Sequence, residues 1–367
     1  MLFLLILCGA AAFLTTAVLL RFAKGRPQTY GAEMVQRFHA GHVPRVGGLG
    51  MLAACTVGWG WMVISGKLNI PNNIRIDLVT AVYLWLVAVL TVAAGAVEDL
   101  TQRLSAFYRL LLTVSAAILA VGLLDLSVPR LGLPVIDTVM LHYPWLGVGL
   151  AVFAISGLPH AFNLIDGYNG LAGTVALVVC CALAYVALQA GDRQLAGIVL
   201  ALAGGTAGFL VWNYPRGLIF AGDCGAYLWG IVIAIACVML VKRHPEVSPW
   251  FPLLLLIYPV WETMFSIWRK AMRGQSPGVA DALHFHQLIY RRIVRRVFDD
   301  DEARRMLMRN NRTSPYLWGF TILTVLPAVL FWHNTPVLML FSALFAISYI
   351  WAYTSIIRFK VPRWIRR

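Results

Sequence analysis

What this chain lacks most is charge. Only 13% of its 367 residues are charged, and Asp and Glu together number 16. A water-soluble domain carries about a quarter of its residues as charges, so a soluble globule is excluded. A disulfide scaffold is excluded as well. Of the six cysteines, Cys8, Cys55, Cys180, Cys181 and Cys237 sit in apolar runs, and none shows metal or disulfide spacing. Cys224 sits in a polar string. The first run, Met1 to Leu20, has no basic leading segment and no small-x-small cleavage site, so it reads as a retained span. No internal repeat is evident, which counts against an inverted-repeat transporter. The net charge of +14 invites nucleic acid as a partner. The basic residues instead follow the loops of a membrane protein, so no nucleic-acid partner is expected.

What is present is hydrophobicity, at 60% of residues. Runs long enough for a bilayer lie near 2–20, 47–65, 78–97, 107–124, 145–158, 171–190, 195–212, 225–241, 250–268, 316–332 and 336–357. The expected fold is all-α: a polytopic membrane helix bundle of about eleven transmembrane helices within a single domain, 1–367. With the N-terminus periplasmic, 24 of the 30 Lys and Arg fall on the cytoplasmic side, and the C-terminus lies there too. Lys242-Arg243 is the main exception. The one sizeable extramembrane element is a basic loop, 269–315. Within it, residues from about 285 to 309 read as a basic amphipathic helix on the anionic leaflet.

Three polar strings interrupt the apolar text, all on the expected cytoplasmic side: Glu98-Asp99, Asn163 to Gly170, and Gly222-Asp223-Cys224-Gly225. A carboxylate costs about 2.5–3.5 kcal/mol at the centre of a membrane helix, so acids gathered at one face imply a purpose. Hard oxygen ligands suggest a divalent cation and phosphate chemistry. An acidic pair at a helix C-terminus is opposed by the helix dipole. Glu98 and Asp99 therefore read as a base or as cation ligands, with Arg103 and Arg109 nearby to grip a phosphate. Asn163, Asp166 and Asn169 recur every three residues and would share one face of a helical turn. Asp223 either caps the helix that follows or binds a metal at its N-terminus. His284-Phe285-His286 lacks the spacing of a helical zinc site and fits a loop presenting imidazoles to a diphosphate. Glu262 and Arg269, seven apart, read as an ion pair on one helix face. His39 and Pro44-Arg45-Val46-Gly47-Gly48-Leu49-Gly50 open the second span, where glycines allow close packing.

Taken together, these strings resemble the polyprenyl-phosphate N-acetylhexosamine-1-phosphate transferase superfamily. The most specific are Ala161-Phe162-Asn163-Leu164-Ile165-Asp166-Gly167-Tyr168-Asn169-Gly170-Leu171-Ala172-Gly173 and Phe220-Ala221-Gly222-Asp223-Cys224-Gly225. The resemblance runs from about His39 to Arg292. It implies a bundle of ten or eleven helices with a cytoplasmic active-site cleft in the bacterial inner membrane. Carried over by position, Asp223 is the principal Mg²⁺ ligand, with Asn163 helping and Mn²⁺ an alternative ion. Glu98 and Asp99 match the acidic pair near the lipid phosphate. Asp166 and Asn169 match the motif at nucleotide and metal, and His284 and His286 the loop at the diphosphate. The sequence departs from the pattern in four places: Glu98 where Asp is usual, Asn169 where many members have Asp, Cys224 where a small or β-branched residue is common, and no run of three histidines. The last tilts the reading from the peptidoglycan translocase toward the hexosamine branch.

The reaction so implied moves a HexNAc-1-phosphate from a UDP-N-acetylhexosamine to undecaprenyl phosphate, releasing UMP, as the first step of a lipid-linked surface glycan such as O-antigen. The bilayer is the medium, and a homodimer is compatible with the fold. Sugar choice is expected in the 269–290 stretch, at Arg269, Arg273, Ser276 or Asp281. Two alternatives stand beside it. A flippase or transporter for an anionic lipid or sugar nucleotide would need polar residues deep in the spans, where few are found. An inactive scaffold would rest only on Glu98 and Asn169.

Overall fold

The computed structural model describes residues 1–23, 43–70, 74–274, 283–294 and 301–358. His39, Ser276, Pro277, Asp281 and the acids Asp299-Asp300 lie outside the described residues. The described chain is a helical bundle: α1 Leu2–Ala23, α2 Gly47–Lys67, α3 Leu78–Thr101, α4 Ala106–Leu123, α5 Pro134–His142, α6 Trp145–Ile165, α7 Leu171–Gln189, α8 Arg193–Asn213, α9 Gly222–Arg243, α10 Trp250–Leu255, α11 Ile257–Ala271, α12 Phe285–Arg292, α13 Glu302–Leu330 and α14 Thr335–Ile357. Among the described residues, ten of these helices are long and apolar enough to cross a membrane.

The expected span at 250–268 is broken into α10 and α11, and Pro259 explains the break. It has no N–H to return to the carbonyl of Leu255, where α10 ends, and its ring crowds that carbonyl. In the first turn of α11 the same residue is tolerated, because those N–H groups have no intrahelical partner. The broken pair still traverses the bundle alongside α14. Ser248 Oγ lies 2.7 Å from Thr335 Oγ1 at one end, and an Arg269 Nη1 donates to Tyr353 Oη at 2.7 Å at the other. Ten helices among the described residues are thus long and apolar enough to cross, and the eleventh expected span is this broken pair.

Position in the bundle follows from apolar periodicity. A helix that is apolar all round belongs inside, whereas one with a single buried stripe faces lipid. Gly222 to Val241 of α9 is apolar on every face except at its first turn, and every residue is buried. Helices α2, α3, α6 and α8 pack around it. α1, α4 and α14 lie outside and expose leucines, isoleucines and aromatics.

The terminal N–H and C=O groups of a helix lack intrahelical partners, and other residues satisfy them here. At the C-terminus of α9, Arg130 donates to the carbonyls of Val241, His244, Pro245 and Val247 at 2.8–3.1 Å. At the N-terminus the cap is a carboxylate, Asp99. A base at the C-terminus and an acid at the N-terminus both suit the helix dipole.

The stretch expected as one surface helix from about 285 to 309 is instead α12 followed by the start of α13. Phe285 to Tyr290 of α12 are buried in protein. Their arginines cap helix ends. Arg309 donates to the carbonyls of Tyr290 and Val294, both at 3.0 Å. Arg292 donates to those of Ile356 and Ile357, both at 2.6 Å. Carbonyl ends that would otherwise be orphaned hold these side chains in the bundle.

Candidate functional site

Two of the sequence strings are joined backbone to backbone. Gly47 N donates to Phe220 O at 3.0 Å, Gly48 N to Ala221 O at 3.1 Å, and Phe220 N to Pro44 O at 2.9 Å. The segment leading into α2 thus fixes the segment leading into α9. The approach is too close for side chains. A Cβ on Gly48 would stand 2.3 Å from Gly225 N, and one on Gly95 of α3 would stand 2.4 Å from Cys224 N. Gly222 has φ +72°, the left-handed region, and a Cβ there would meet Asp99 Oδ2 at 2.5 Å.

That closeness lets Asp99 reach the end of α9. Its Oδ1 accepts from Asp223 N and its Oδ2 from Cys224 N, both at 3.0 Å. The acidic residue that sits badly at the C-terminus of α3 is thereby well placed at the N-terminus of α9. Glu98, one residue back, points elsewhere: its Oε2 accepts from Leu104 N at 2.9 Å and orders the turn into α4. Arg103 is exposed in that turn.

With its backbone held, Asp223 presents its carboxylate to a ring of donors. Asn163 Nδ2 donates to Oδ1 at 2.8 Å and an Arg109 Nη1 to Oδ2 at 3.2 Å. Arg45 lies 3.7 Å from Oδ1 of Asp223 and 3.7 Å from Oδ1 of Asp99. Tyr227, one turn along α9, donates to Oδ2 at 3.4 Å. His160 on α6 stands with its ring 5.5 Å from that of Tyr227 and its Nε2 2.9 Å from Thr113 Oγ1. Tyr227 and His160 were not among the residues the sequence singled out, and Arg45 entered only as part of the glycine-rich string. The first two had a signal: Tyr227 is four residues past Asp223, and His160 three before Asn163.

Asp166 ends α6 and opens toward the same cluster. Burial pushes its carboxyl up to about 7. Arg45 opposes that shift, while Asp99 and Asp223 add to it. Asn163 and Asp166 therefore share a face as expected. Asn169 does not join them. Helix α6 ends at Ile165, and the turn at Gly167–Gly170 points Asn169 toward α13. Its N accepts no role at the cleft but donates to Asn310 Oδ1 at 2.8 Å, its Nδ2 donates to Asn311 Oδ1 at 3.0 Å, and its carbonyl accepts from Ser314 Oγ at 2.6 Å. At 2% exposure it fastens the turn to α13, and its Oδ1 has no hydrogen-bond partner among the described residues.

His284 is the N-cap of α12, and His286 lies within its first turn. Their rings stack 5.5 Å apart at 10°, and the His286 ring meets Tyr168 edge-on at 5.5 Å. A Cβ on Gly167 would stand 3.2 Å from His286 Nε2. The histidine string therefore abuts the Asp166-Gly167 turn. Burial, with the neighbouring His284, pushes His286 down to about 3, so it is neutral at any physiological pH. Its Nδ1 has no hydrogen-bond partner among the described residues. Arg269 is buried and donates to Leu283 O at 2.9 Å and to Tyr353 Oη at 2.7 Å. The expected Glu262–Arg269 pairing gives way to a different one: Glu262 is held by His284, Phe285 N and Tyr349.

Among the described residues, no three His, Cys, Asp or Glu side chains converge to hold a metal by themselves. Magnesium is commonly held by one or two carboxylates with the remaining positions taken by phosphate oxygens and water. Asp223 with Asn163, hard oxygen donors at a helix N-terminus, fits that pattern.

The fold and this cluster define a class: a polytopic helical membrane protein with carboxylates and arginines gathered at one end of the bundle. Residues 81–241 match the family model described as Glycosyl transferase family 4. The chain is 29% identical, over 68% of its length and 66% of the relative's, to a probable undecaprenyl-phosphate N-acetylglucosaminyl 1-phosphate transferase of Bacillus subtilis (strain 168). It is 28% identical to the undecaprenyl-phosphate alpha-N-acetylglucosaminyl 1-phosphate transferase of Escherichia coli (strain K12), over 76% of this chain and 74% of the relative. It is 34% identical to a phospho-N-acetylmuramoyl-pentapeptide-transferase of Synechococcus sp. (strain JA-3-3Ab), over 55% of this chain and 63% of the relative. These matches liken the chain to the polyprenyl-phosphate N-acetylhexosamine-1-phosphate transferase superfamily of family 4 glycosyl transferases.

Proposed function

We propose that this protein transfers a HexNAc-1-phosphate from a UDP-sugar to undecaprenyl phosphate, releasing UMP, at the cytoplasmic face of a bacterial inner membrane. The observation that carries this reading is the Asp223 carboxylate, fixed at a buried helix N-terminus by Asp99 and surrounded by Asn163, Arg45 and Arg109. The relatives' names supply the substrate class.

In this reaction an oxygen of the lipid phosphate bonds to the sugar-bearing phosphorus of the donor. The bond from that phosphorus to the bridging oxygen breaks, and the oxygen leaves with UMP. One phosphoanhydride replaces another, so positioning and charge neutralisation are what the protein must supply. Asp223, with Asn163, would hold Mg²⁺ or Mn²⁺, which when bound offsets charge on the diphosphate. Arg45 and Arg109, partly exposed beside the Asp223 carboxylate, are placed to meet a phosphate bound there. Asp99, with both oxygens on backbone N–H groups, acts as a positioning group for Asp223. Asp166, ionising near neutral pH, is the better group to take a proton from a lipid phosphate that arrives protonated.

The test uses purified protein in detergent with undecaprenyl phosphate and a panel of UDP-HexNAc donors, UDP-MurNAc-pentapeptide included. UMP release that EDTA abolishes, matched by a lipid-diphosphate-sugar, is the expected result and names the donor. Absence of UMP with every donor, from protein shown to be folded, would overturn the reading.

A further inference from the structure

Glu262 is the most deeply buried acid outside the Asp99–Asp223 cluster, with no exposed surface. It sits on α11, in the broken crossing, where a bare carboxylate would be costly. Its oxygens are fully used. Oε1 accepts from Phe285 N at 3.0 Å and lies 3.3 Å from His284 Nδ1. Oε2 accepts from Tyr349 Oη at 2.5 Å. The first of these contacts caps the N-terminus of α12 from a neighbouring helix. His286 is in that same first turn, its ring stacked on His284 and its Nε2 against Gly167. A continuous set of contacts thus leads from Tyr349 on α14 through Glu262 to the two histidines and on to the Asp166-Gly167 turn.

We infer that Glu262 is a positioning residue for the transfer reaction: by capping α12 and orienting His284, it sets His286 against the Asp166-Gly167 turn. The inference rests on the transferase reading above. A carboxylate that only filled space could be replaced by its amide at little cost to the site. This one accepts from Phe285 N through Oε1, with His284 Nδ1 3.3 Å away, and from Tyr349 Oη through Oε2. In Glu262→Gln the charge is lost: the carbonyl oxygen can keep Phe285 N while the NH₂ donates to Tyr349 Oη, but the bond that caps α12 is no longer charge-assisted and is about half as strong. The first turn of α12 would loosen. A displacement of about 1 Å at a reacting site costs on the order of a hundredfold, so a loss of roughly tenfold to a hundredfold in kcat/KM for the UDP-sugar is expected.

A double-mutant cycle tests it, with Glu262→Gln, His286→Ala and the double variant, following kcat and KM for the donor. If Glu262 acts through His286, the change to Gln costs nothing further once His286 is Ala, and its effect in the wild type lies mainly in KM. Equal losses in both backgrounds, or no loss in either, would overturn the inference. Should Glu262→Gln fail to yield folded protein, Tyr349→Phe enters the same cycle, because it removes the donor to Oε2 while keeping the carboxylate. A second readout needs no turnover. Hydrogen exchange over residues 283–294 should quicken in Glu262→Gln, with α9 unchanged. Unchanged exchange there would sink the positioning role, whereas failure of the wild type to release UMP would count only against the transferase reading.

Discussion

Asp99→Asn separates the two roles an acid could have at this site. In the structure its two oxygens each accept a backbone N–H at the start of α9, at 3.0 Å. An asparagine offers one carbonyl oxygen and one amide NH₂, so one of the two N–H groups would face a donor. The loss is one hydrogen bond to a charged acceptor, about 1.5–3 kcal/mol. At 1.4 kcal/mol per tenfold, the population with Asp223 correctly aimed should fall roughly tenfold to a hundredfold. If Asp99 positions Asp223, Mn²⁺ affinity and kcat/KM should decline together by that factor. Mn²⁺ binding can be read by electron paramagnetic resonance on the detergent-solubilised protein, and turnover by UMP release. An Asp99→Asn protein that binds Mn²⁺ as the wild type does, yet has lost turnover, would refute the positioning argument and return Asp99 to the role of base.

Further predictions bear on the neighbouring residues. Asp223→Asn should weaken divalent-ion binding and lower turnover by roughly a hundredfold or more; near-normal activity with ordinary Mg²⁺ dependence would remove Asp223 from the metal site. Asp166 carries a raised carboxyl, up to about 7, so the folded protein holds that proton more tightly than the unfolded chain does. Its contribution is full below about pH 4 and is lost as pH rises to about 7. The melting temperature of metal-free wild type relative to Asp166→Asn should therefore fall across that window and level off above it, and parallel curves would contradict the assignment. Asn169→Asp should cost stability, about 1–3 kcal/mol, because a carboxylate would face Asn311 Oδ1, and Asn311 cannot turn over without losing its own bond to Pro215 O. Turnover per folded molecule should change less than threefold, checked by normalising UMP release to the monodisperse fraction.

Much of the site could be read from the sequence because polar residues are conspicuous in an apolar text. Asn163, Asp166, Asp223 and Arg109 were each marked by that contrast, and the structure brings them together. What could not be read is who faces whom across helices. Asp99 and Asp223 lie 124 residues apart, and nothing local says that the first caps the helix of the second. Arg45 was visible only as part of a glycine-rich string. The face shared by Asn163 and Asp166 was legible from spacing, but a spacing argument holds only while the helix lasts, and α6 stops before Asn169. Glu262 and Arg269 share a face of α11, yet stronger claims come from α12 and α14. The break before Ile257 did have a signal in Pro259, whose consequence for Leu255 follows from its missing N–H.

The same physical demand recurs at both ends of this site. A helix buried among other helices must have its first N–H groups satisfied, and the dipole favours an anion there. α9 takes Asp99 from α3, and α12 takes Glu262 from α11. In each case the capped turn also carries a side chain that the proposed reaction would use, Asp223 in one and His286 in the other. The cap fixes the backbone from which that side chain projects, so stability and alignment arise from one contact. At α9 the consequence goes further. The cap brings a second carboxylate beside Asp223, and two acids so close need either a proton held between them or cations around them. Arg45 and Arg109 meet that need in the protein itself. A divalent ion with a diphosphate would meet it during the reaction, leaving the arginines to hold phosphate oxygens. The burial of α9 thus accounts for why the acids gather at this end of the bundle.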